Sequence, residues 1–301
     1  MKKRTLFVIF GLVIGTWGCS FSAGTIATPT PTQLVDGVGT IVAATMQAYT
    51  QAPTESATVV ASTEAVTQAG GIPLSYEGVS FVIPNGVATN AKTEKITAVE
   101  ANSGAPWEIA PTHLRLTLTD YPLQGKFHEP TIFVYPADEY AHSNPSAAEQ
   151  IDRLKKILGG ATPLQETLPV VPFFNATAQI AANVKLIPLQ NGSGVRWLTQ
   201  YAQYTAPINN RELFYHFQGL SSDGKYYMIA ILPITAPMLP ENEEAEATVP
   251  EGGVPIPTDV GPNAVYYFSV TEKLTALSPN AFTPSLETLD ALIQSFVLAN
   301  P

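Results

Sequence analysis

Val195-Arg-Trp-Leu-Thr-Gln-Tyr-Ala202 is the stretch on which the fold turns. On an extended chain, alternation sends Val195, Trp197, Thr199 and Tyr201 to one side and Arg196, Leu198, Gln200 and Ala202 to the other. The first side is largely apolar and aromatic. The second is half apolar, so it also wants a cover. Upstream, residues 179–189 form another extended run, separated by Gln190-Asn-Gly-Ser-Gly194, which has turn chemistry. Downstream, residues 212–218 and 225–232 flank Ser221-Ser-Asp-Gly224. The spacing predicts a meander of four antiparallel strands, with the strand over 195–204 second in order.

Further toward the N-terminus, Leu74-Ser-Tyr-Glu-Gly-Val-Ser-Phe-Val-Ile83 reads as two short strands about Glu77-Gly78. His113-Leu-Arg-Leu-Thr-Leu-Thr119 alternates strictly, and Thr131-Ile-Phe-Val-Tyr135 is a strand stopped by Pro136. Residues 146–158 have helical spacing. Ser146 stands as the cap with Glu149 three residues on, and Gly159-Gly160 ends the helix. Toward the C-terminus, residues 236–263 are an acidic, Pro/Gly-rich insertion. Residues 264–277 and 285–299 read as helices, the last with an apolar stripe of Leu286, Leu289, Leu292, Ile293 and Phe296. The predicted class is α+β: an antiparallel sheet packed by helices, including a C-terminal one, in a single domain over 72–301.

The first 71 residues differ in kind. Lys2, Lys3 and Arg4 precede the apolar run Leu6–Ile14, and Gly18-Cys19 follows. This is the layout of an export signal, and the run is shorter than the roughly 20 residues that span a bilayer. The lone Cys behind Gly18 resembles the cleavage box of bacterial lipoproteins. That resemblance implies a signal over 1–18 and a lipid on Cys19. Thr16 stands where such boxes usually carry an aliphatic residue, and Trp17 is also unusual. Ordinary secretion with cleavage near Ala23 or Ala27, or an uncleaved signal anchor, are the alternatives. All three put the bulk of the chain outside the cytoplasm. Residues 19–71 are rich in Thr, Ala, Pro and Ser, and no Lys or Arg occurs between Arg4 and Lys92. Such a stretch is expected to be a flexible tether, with a short amphipathic helix possible over 33–49.

The chain of 301 residues has a formal net charge of −10 and only 13% charged residues, against an average near 25%. That balance excludes a nucleic-acid partner, which needs a basic surface. A single Cys excludes an internal disulfide framework and a Cys-based zinc site.

Gly219-Leu-Ser-Ser-Asp-Gly-Lys225 has the spacing of a phosphate loop, but Tyr226 stands where Ser or Thr must hold Mg²⁺, and a strand follows where a helix is required. Ser222-Asp-Gly-Lys225 and Gly192-Ser-Gly194 read as turns rather than nucleophile sites. The four histidines, His113, His128, His142 and His216, have no metal-ligand spacing. His128 and Glu129 are neighbours and would point to opposite sides. The acidic run Glu241-Asn-Glu-Glu-Ala-Glu246, with Glu251 and Asp259, lacks a calcium-loop pattern and reads as a solvated loop. Aromatics crowd the meander and the following helix, among them Trp197, Tyr201, Phe214, Tyr215, Phe217, Tyr226 and Tyr227, as core or as a ligand-stacking strip.

Tyr121-Pro-Leu-Gln-Gly-Lys-Phe-His-Glu-Pro130, Asn191-Gly-Ser-Gly-Val-Arg-Trp-Leu-Thr-Gln-Tyr-Ala202, Glu212-Leu-Phe-Tyr-His-Phe-Gln-Gly219 and Phe282-Thr-Pro-Ser-Leu-Glu-Thr-Leu-Asp290 resemble segments of an uncharacterised family of bacterial envelope lipoproteins. Tyr76-Glu-Gly-Val-Ser-Phe-Val-Ile-Pro84 and Leu292-Ile-Gln-Ser-Phe296 are also similar to the opening and the close of the PsbP/Mog1/DcrB-like fold. That second likeness implies a non-catalytic accessory or binding module. Neither resemblance assigns a functional residue, and no cofactor is expected.

Three functions are therefore expected, in order. The first is a domain held at the membrane by an N-terminal lipid, binding an unknown protein or small molecule without catalysis. The second is an envelope hydrolase whose acid–base residues, drawn from His113, His128, Glu129 and His216, meet only in the fold. The third is a purely structural envelope protein.

Overall fold

A computed structural model of the chain describes residues 70–244, 247–257 and 264–298. The chain divides into two units, residues 1–65 and 66–301, and every described residue belongs to the second. The expected signal over 1–18, Cys19, and the tether with its helix over 33–49 lie outside the described residues, as do Glu246 and Asp259.

In chain order the elements are β1 (Gly71–Tyr76), β2 (Val79–Pro84), β3 (Asn90–Ile96), β4 (His113–Thr119) and β5 (Thr131–Pro136). Helices α1 (Ala137–Ser143) and α2 (Pro145–Leu158) follow. Then come β6 (Thr177–Ala178), β7 (Ala182–Leu189), β8 (Gly192–Thr199), β9 (Tyr201–Ala202), β10 (Phe214–Ser221) and β11 (Tyr226–Pro233). Helices α3 (Ala264–Ala276) and α4 (Leu286–Gln294) precede the last strand, β12 (Val297–Leu298). The class is α+β, as the sequence predicts.

The expected four-strand meander, β7-β8-β10-β11, is one side of a larger sheet. β11 also pairs with β5, so the full order is β3-β4-β5-β11-β10-β8-β7, antiparallel throughout. Every residue of β10 is buried. That needs a cover on both faces, and both exist. One face, carrying Trp197, Phe214, Tyr227 and Ile229, packs under α1 and α2 through Ile151, Leu154 and Ile157. The other, carrying Leu116, Leu198, Tyr215 and Phe217, packs under α3, α4 and a small sheet of order β1-β2-β12. There Phe81 of β2 stacks on Phe296 with ring centroids 4.5 Å apart.

Several boundaries differ from the sequence expectation. The helix expected over 146–158 begins at Pro145, and its cap is Asn144, whose Oδ1 accepts from the Ser146 and Ala147 amides. Proline is well suited to the first helical turn because its missing N–H would be unsatisfied there. The helix expected over 285–299 stops at Gln294. Ser295 caps it, and Val297–Leu298 pairs with β2 as a third strand. Asn191 holds that strand: its Nδ2 donates to the Leu298 carbonyl at 2.6 Å and its Oδ1 accepts from the Leu298 amide at 2.8 Å. The turn between β7 and β8 is only Gln190-Asn191, since Leu189 is paired with Gly192. Gly192-Ser-Gly194 is therefore strand, not turn. The strand expected over 195–204 breaks at Gln200, whose side-chain oxygen accepts from the Asn209 amide at 3.0 Å, and β9 turns away to pair with β6.

Candidate functional site

The four residues singled out for chemistry fall in three places. Glu129 is exposed, while its neighbour His128 turns inward, so the pair does not converge. His128 and His216 meet in one aromatic cluster on the α1/α2 face, in which His216 and Phe214 are buried and His128, Phe174 and Tyr201 half-buried. His113 stands apart, at the mouth of a cleft.

The cluster is built around Phe214. Its ring centroid lies 4.6 Å from that of His128, 5.4 Å from His216 and 6.1 Å from Phe174. Tyr201 faces Phe174 at 4.6 Å and His216 at 6.4 Å. His216 is fully enclosed. Its Nε2 is 3.0 Å from the Val171 carbonyl, which can only accept, so that nitrogen carries the proton. Gln218 donates from Nε2 to the Pro169 carbonyl at 3.0 Å and the Val171 carbonyl at 2.7 Å, and accepts from the Tyr227 hydroxyl. This network ties the segment after Leu168 to β10. Two polar atoms of the cluster, His216 Nδ1 and the Tyr201 hydroxyl, are buried with no partner among the described residues.

Burial sets the proton states here. Loss of water disfavours imidazolium, which pushes His216 down to about 3 despite the opposing Val171 bond, with the neighbouring His128 adding to the fall. Desolvation alone pushes His128 down to about 4. Both rings are neutral at pH 7. Neither has a carboxylate partner among the described residues.

The cleft lies between the large sheet and the β1–β2 hairpin. Strand register makes its floor. Lys95 of β3 pairs with Leu114 of β4, which pairs with Val134 of β5, and Tyr226 of β11 pairs with Pro136. The hairpin forms the wall. It turns through Glu77 and Gly78, both at positive φ (42° and 78°), and this sets Glu77 and Val79 over the floor. Thr112, His113 and Glu139 complete the lining, which encloses about 230 Å³. A second, more open recess shares Thr112 and Glu139 and adds Glu100, Asp138 and His142.

His113 Nδ1 lies 2.8 Å from the Pro111 carbonyl and must donate to it. Its ring stacks on Tyr135 at 4.3 Å. Desolvation lowers its pKa, against the pull of the Pro111 bond, and Arg115 adds to the fall. The ring is thus a neutral one with a fixed tautomer, leaving Nε2 as an acceptor. Opposite, Glu77 pairs with Lys95 at 3.2 Å. Glu139 is exposed at the rim in the first turn of α1.

The remaining motifs resolve as structure. Gly219–Lys225 is a β-hairpin in which Asp223 Oδ1 accepts from Ser221 Oγ at 2.6 Å and the Lys225 amide at 3.1 Å. Ser193 lies in β8 and Ser222 in that turn. Of the acidic run, Glu241 pairs with Lys126 at 3.2 Å and Glu243 accepts from the Tyr204 hydroxyl at 2.7 Å. No group of three His, Cys, Asp or Glu side chains among the described residues is placed to hold a metal ion. No described helix is long and apolar enough to cross a membrane.

Sequence reading missed Glu77, Lys95 and Glu139 as cleft residues, and missed the strand that carries Lys95. The only local signal was Glu77-Gly78 at a hairpin turn. No family model, curated protein or solved structure matches the chain.

Proposed function

We propose that the chain is an extracytoplasmic module, held to the membrane by a lipid on Cys19, that binds a small ligand or a partner without catalysis. The leader, with Lys2, Lys3 and Arg4, an apolar run and Gly18-Cys19, supports the anchor and the location. The likeness to envelope lipoproteins and to a fold of accessory modules points the same way. One observation carries the choice of binding over hydrolysis. Of the histidines put forward for acid–base work, the two that come together pack on the Phe214 ring and are held neutral, while His113 lines an open cleft with mixed polar and apolar walls. A general base must reach a proton on a substrate and hold it near neutral pH; His216 is fully buried, and His128, half-buried, is pushed down to about 4. A concave apolar floor with a few convergent polar groups is the usual form of a ligand site.

Intact-mass analysis of the membrane-extracted protein, with whatever co-purifies, tests this reading. The expected result is a diacylglyceryl adduct on an N-terminal Cys19 and a bound partner or small molecule. An unmodified chain recovered from the medium would remove the anchor. Turnover of an ester or glycoside substrate that disappears on His113→Gln would remove the non-catalytic assignment.

A further inference from the structure

We propose that the cleft between the β1–β2 hairpin and the large sheet takes a small amphipathic organic cation, a protonated amine on an apolar body. This rests on the chain being a binding module, and it adds the class of ligand.

Shape comes first. About 230 Å³ is just below the usual range of ligand pockets, which limits the occupant to a molecule of about a dozen heavy atoms. The floor of Leu114 and Val134, with Val79 above, removes an apolar body from water. A bare ion would leave that floor unused.

Charge decides the head group. Among the described residues the one cation lining the cleft, Lys95, already faces Glu77 at 3.2 Å, so the pair contributes almost no net field. Glu139 at the rim is in no ion pair among the described residues, and Glu100 and Asp138 of the adjoining recess add to its negative charge. His113 brings no positive charge, because desolvation keeps its ring neutral, and its free Nε2 accepts rather than donates. The rim therefore offers acceptors and a negative potential, which a low-dielectric wall focuses. An ammonium group answers both, and a carboxylate answers neither.

Three probes of nearly equal shape and different charge test this on the full chain: benzylamine, benzyl alcohol and benzoate, titrated by calorimetry and by NMR shifts of the Leu114 and Val134 methyls. Benzylamine should bind saturably and displace those methyl signals, with benzyl alcohol at least tenfold weaker. Glu139→Gln should weaken benzylamine about tenfold through loss of one charge-assisted hydrogen bond. Lys95→Gln should tighten it, since a like charge is removed and Glu77 is freed. Both side chains are surface-accessible, so the variants should melt like the parent, and Glu129→Gln, outside the cleft, should leave affinity unchanged. Benzoate binding in place of benzylamine would overturn the cationic class while a binding module still stood. The absence of saturable binding by any probe would overturn the site, a result independent of the lipid and co-purification readouts above. Parallel effects of Glu139→Gln and Lys95→Gln would also overturn it.

Discussion

Asp290 of the last helix accepts from the Arg196 guanidinium of β8 at 3.2 Å, and both side chains are under one-tenth exposed. Tyr215 donates to the other carboxylate oxygen at 3.0 Å, and Lys185 reaches in from the surface at 3.1 Å. Arg196 also donates to the Asn183 carbonyl at 2.6 Å. This buried carboxylate fastens α4 to the sheet through three side chains.

Breaking such a pair from one side strands the other charge in a medium that cannot solvate it. Asp290→Ala should therefore cost about 3–5 kcal/mol in urea denaturation. Asp290→Asn, which keeps an acceptor for Tyr215, should cost less. Replacing both Arg196 and Asp290 with leucine should cost less than Asp290→Ala alone, because no buried unpaired charge remains and Lys185 is solvated at the surface. Equal losses for the single and double replacements would show that Arg196 has other compensation.

The histidine cluster makes stability depend on pH. In the unfolded chain His128 and His216 titrate near 6.5, and in the folded protein near 4 and 3. Below pH 6.5 the unfolded state binds protons that the folded state refuses. Stability is thus complete above about 6.5 and is lost as pH falls toward the folded values. The two rings together should remove up to about 4 kcal/mol between pH 7.5 and pH 5, above the range where most carboxylates titrate. His113 shifts in the same direction. His128→Phe should remove close to half of this dependence, read from urea midpoints at the two pH values.

What could be read from the sequence, and what could not, follows from burial. β11 was legible because it is covered on both faces and carries an unbroken apolar and aromatic run, and β8 and β10 because aromatic and aliphatic residues point to both of their faces between turn residues. β3, Asn90-Ala-Lys-Thr-Glu-Lys-Ile96, escaped because it is an edge strand with little burial. Lys92, Glu94 and Lys95 guard that edge against further pairing, and this erases the apolar signal. The cleft was hidden for a related reason. Lys95, Leu114 and Val134 become neighbours only through strand register, and Glu77 and Glu139 arrive from a hairpin turn and a short helix. The meeting of His128 and His216 had the same cause, since Phe214 joins a loop residue to a central strand.

The glycines of β8 have a packing role that turn chemistry obscured. Gly194 is paired with Gly219 of β10, and the Phe217 ring lies across both. A Cβ on Gly194 would come within 3.0 Å of the Gln218 carbonyl oxygen, the Phe217 ring and the Gly219 Cα. Two of these three are backbone, which cannot yield without disturbing the ladder. Gly194→Ala should destabilise the protein by about 2–3 kcal/mol. Gly224→Ala probes a different demand, a positive φ of 73° in an open turn with nothing near the added carbon. It should cost about 1 kcal/mol, so a smaller drop in melting temperature for Gly224→Ala than for Gly194→Ala checks the argument.

The Tyr201 hydroxyl gives the most direct probe of the buried cluster. It has no hydrogen-bond partner among the described residues, and burial raises its pKa above the ordinary tyrosine value, so it stays a neutral donor. A buried polar group without a partner carries its desolvation cost uncompensated, and removing the group recovers that cost. Tyr201→Phe should therefore raise stability by about 1 kcal/mol, seen as a higher urea midpoint at pH 7.5. The contrary result is equally readable. His216 Nδ1 is a bare acceptor in the same cluster, and its ring centre is 6.4 Å from that of Tyr201. A water between them would satisfy both atoms, and Tyr201→Phe would then lower stability and leave His216 to be protonated at a different pH. Proton NMR of the His216 ring, with and without the Tyr201 hydroxyl, separates the two outcomes.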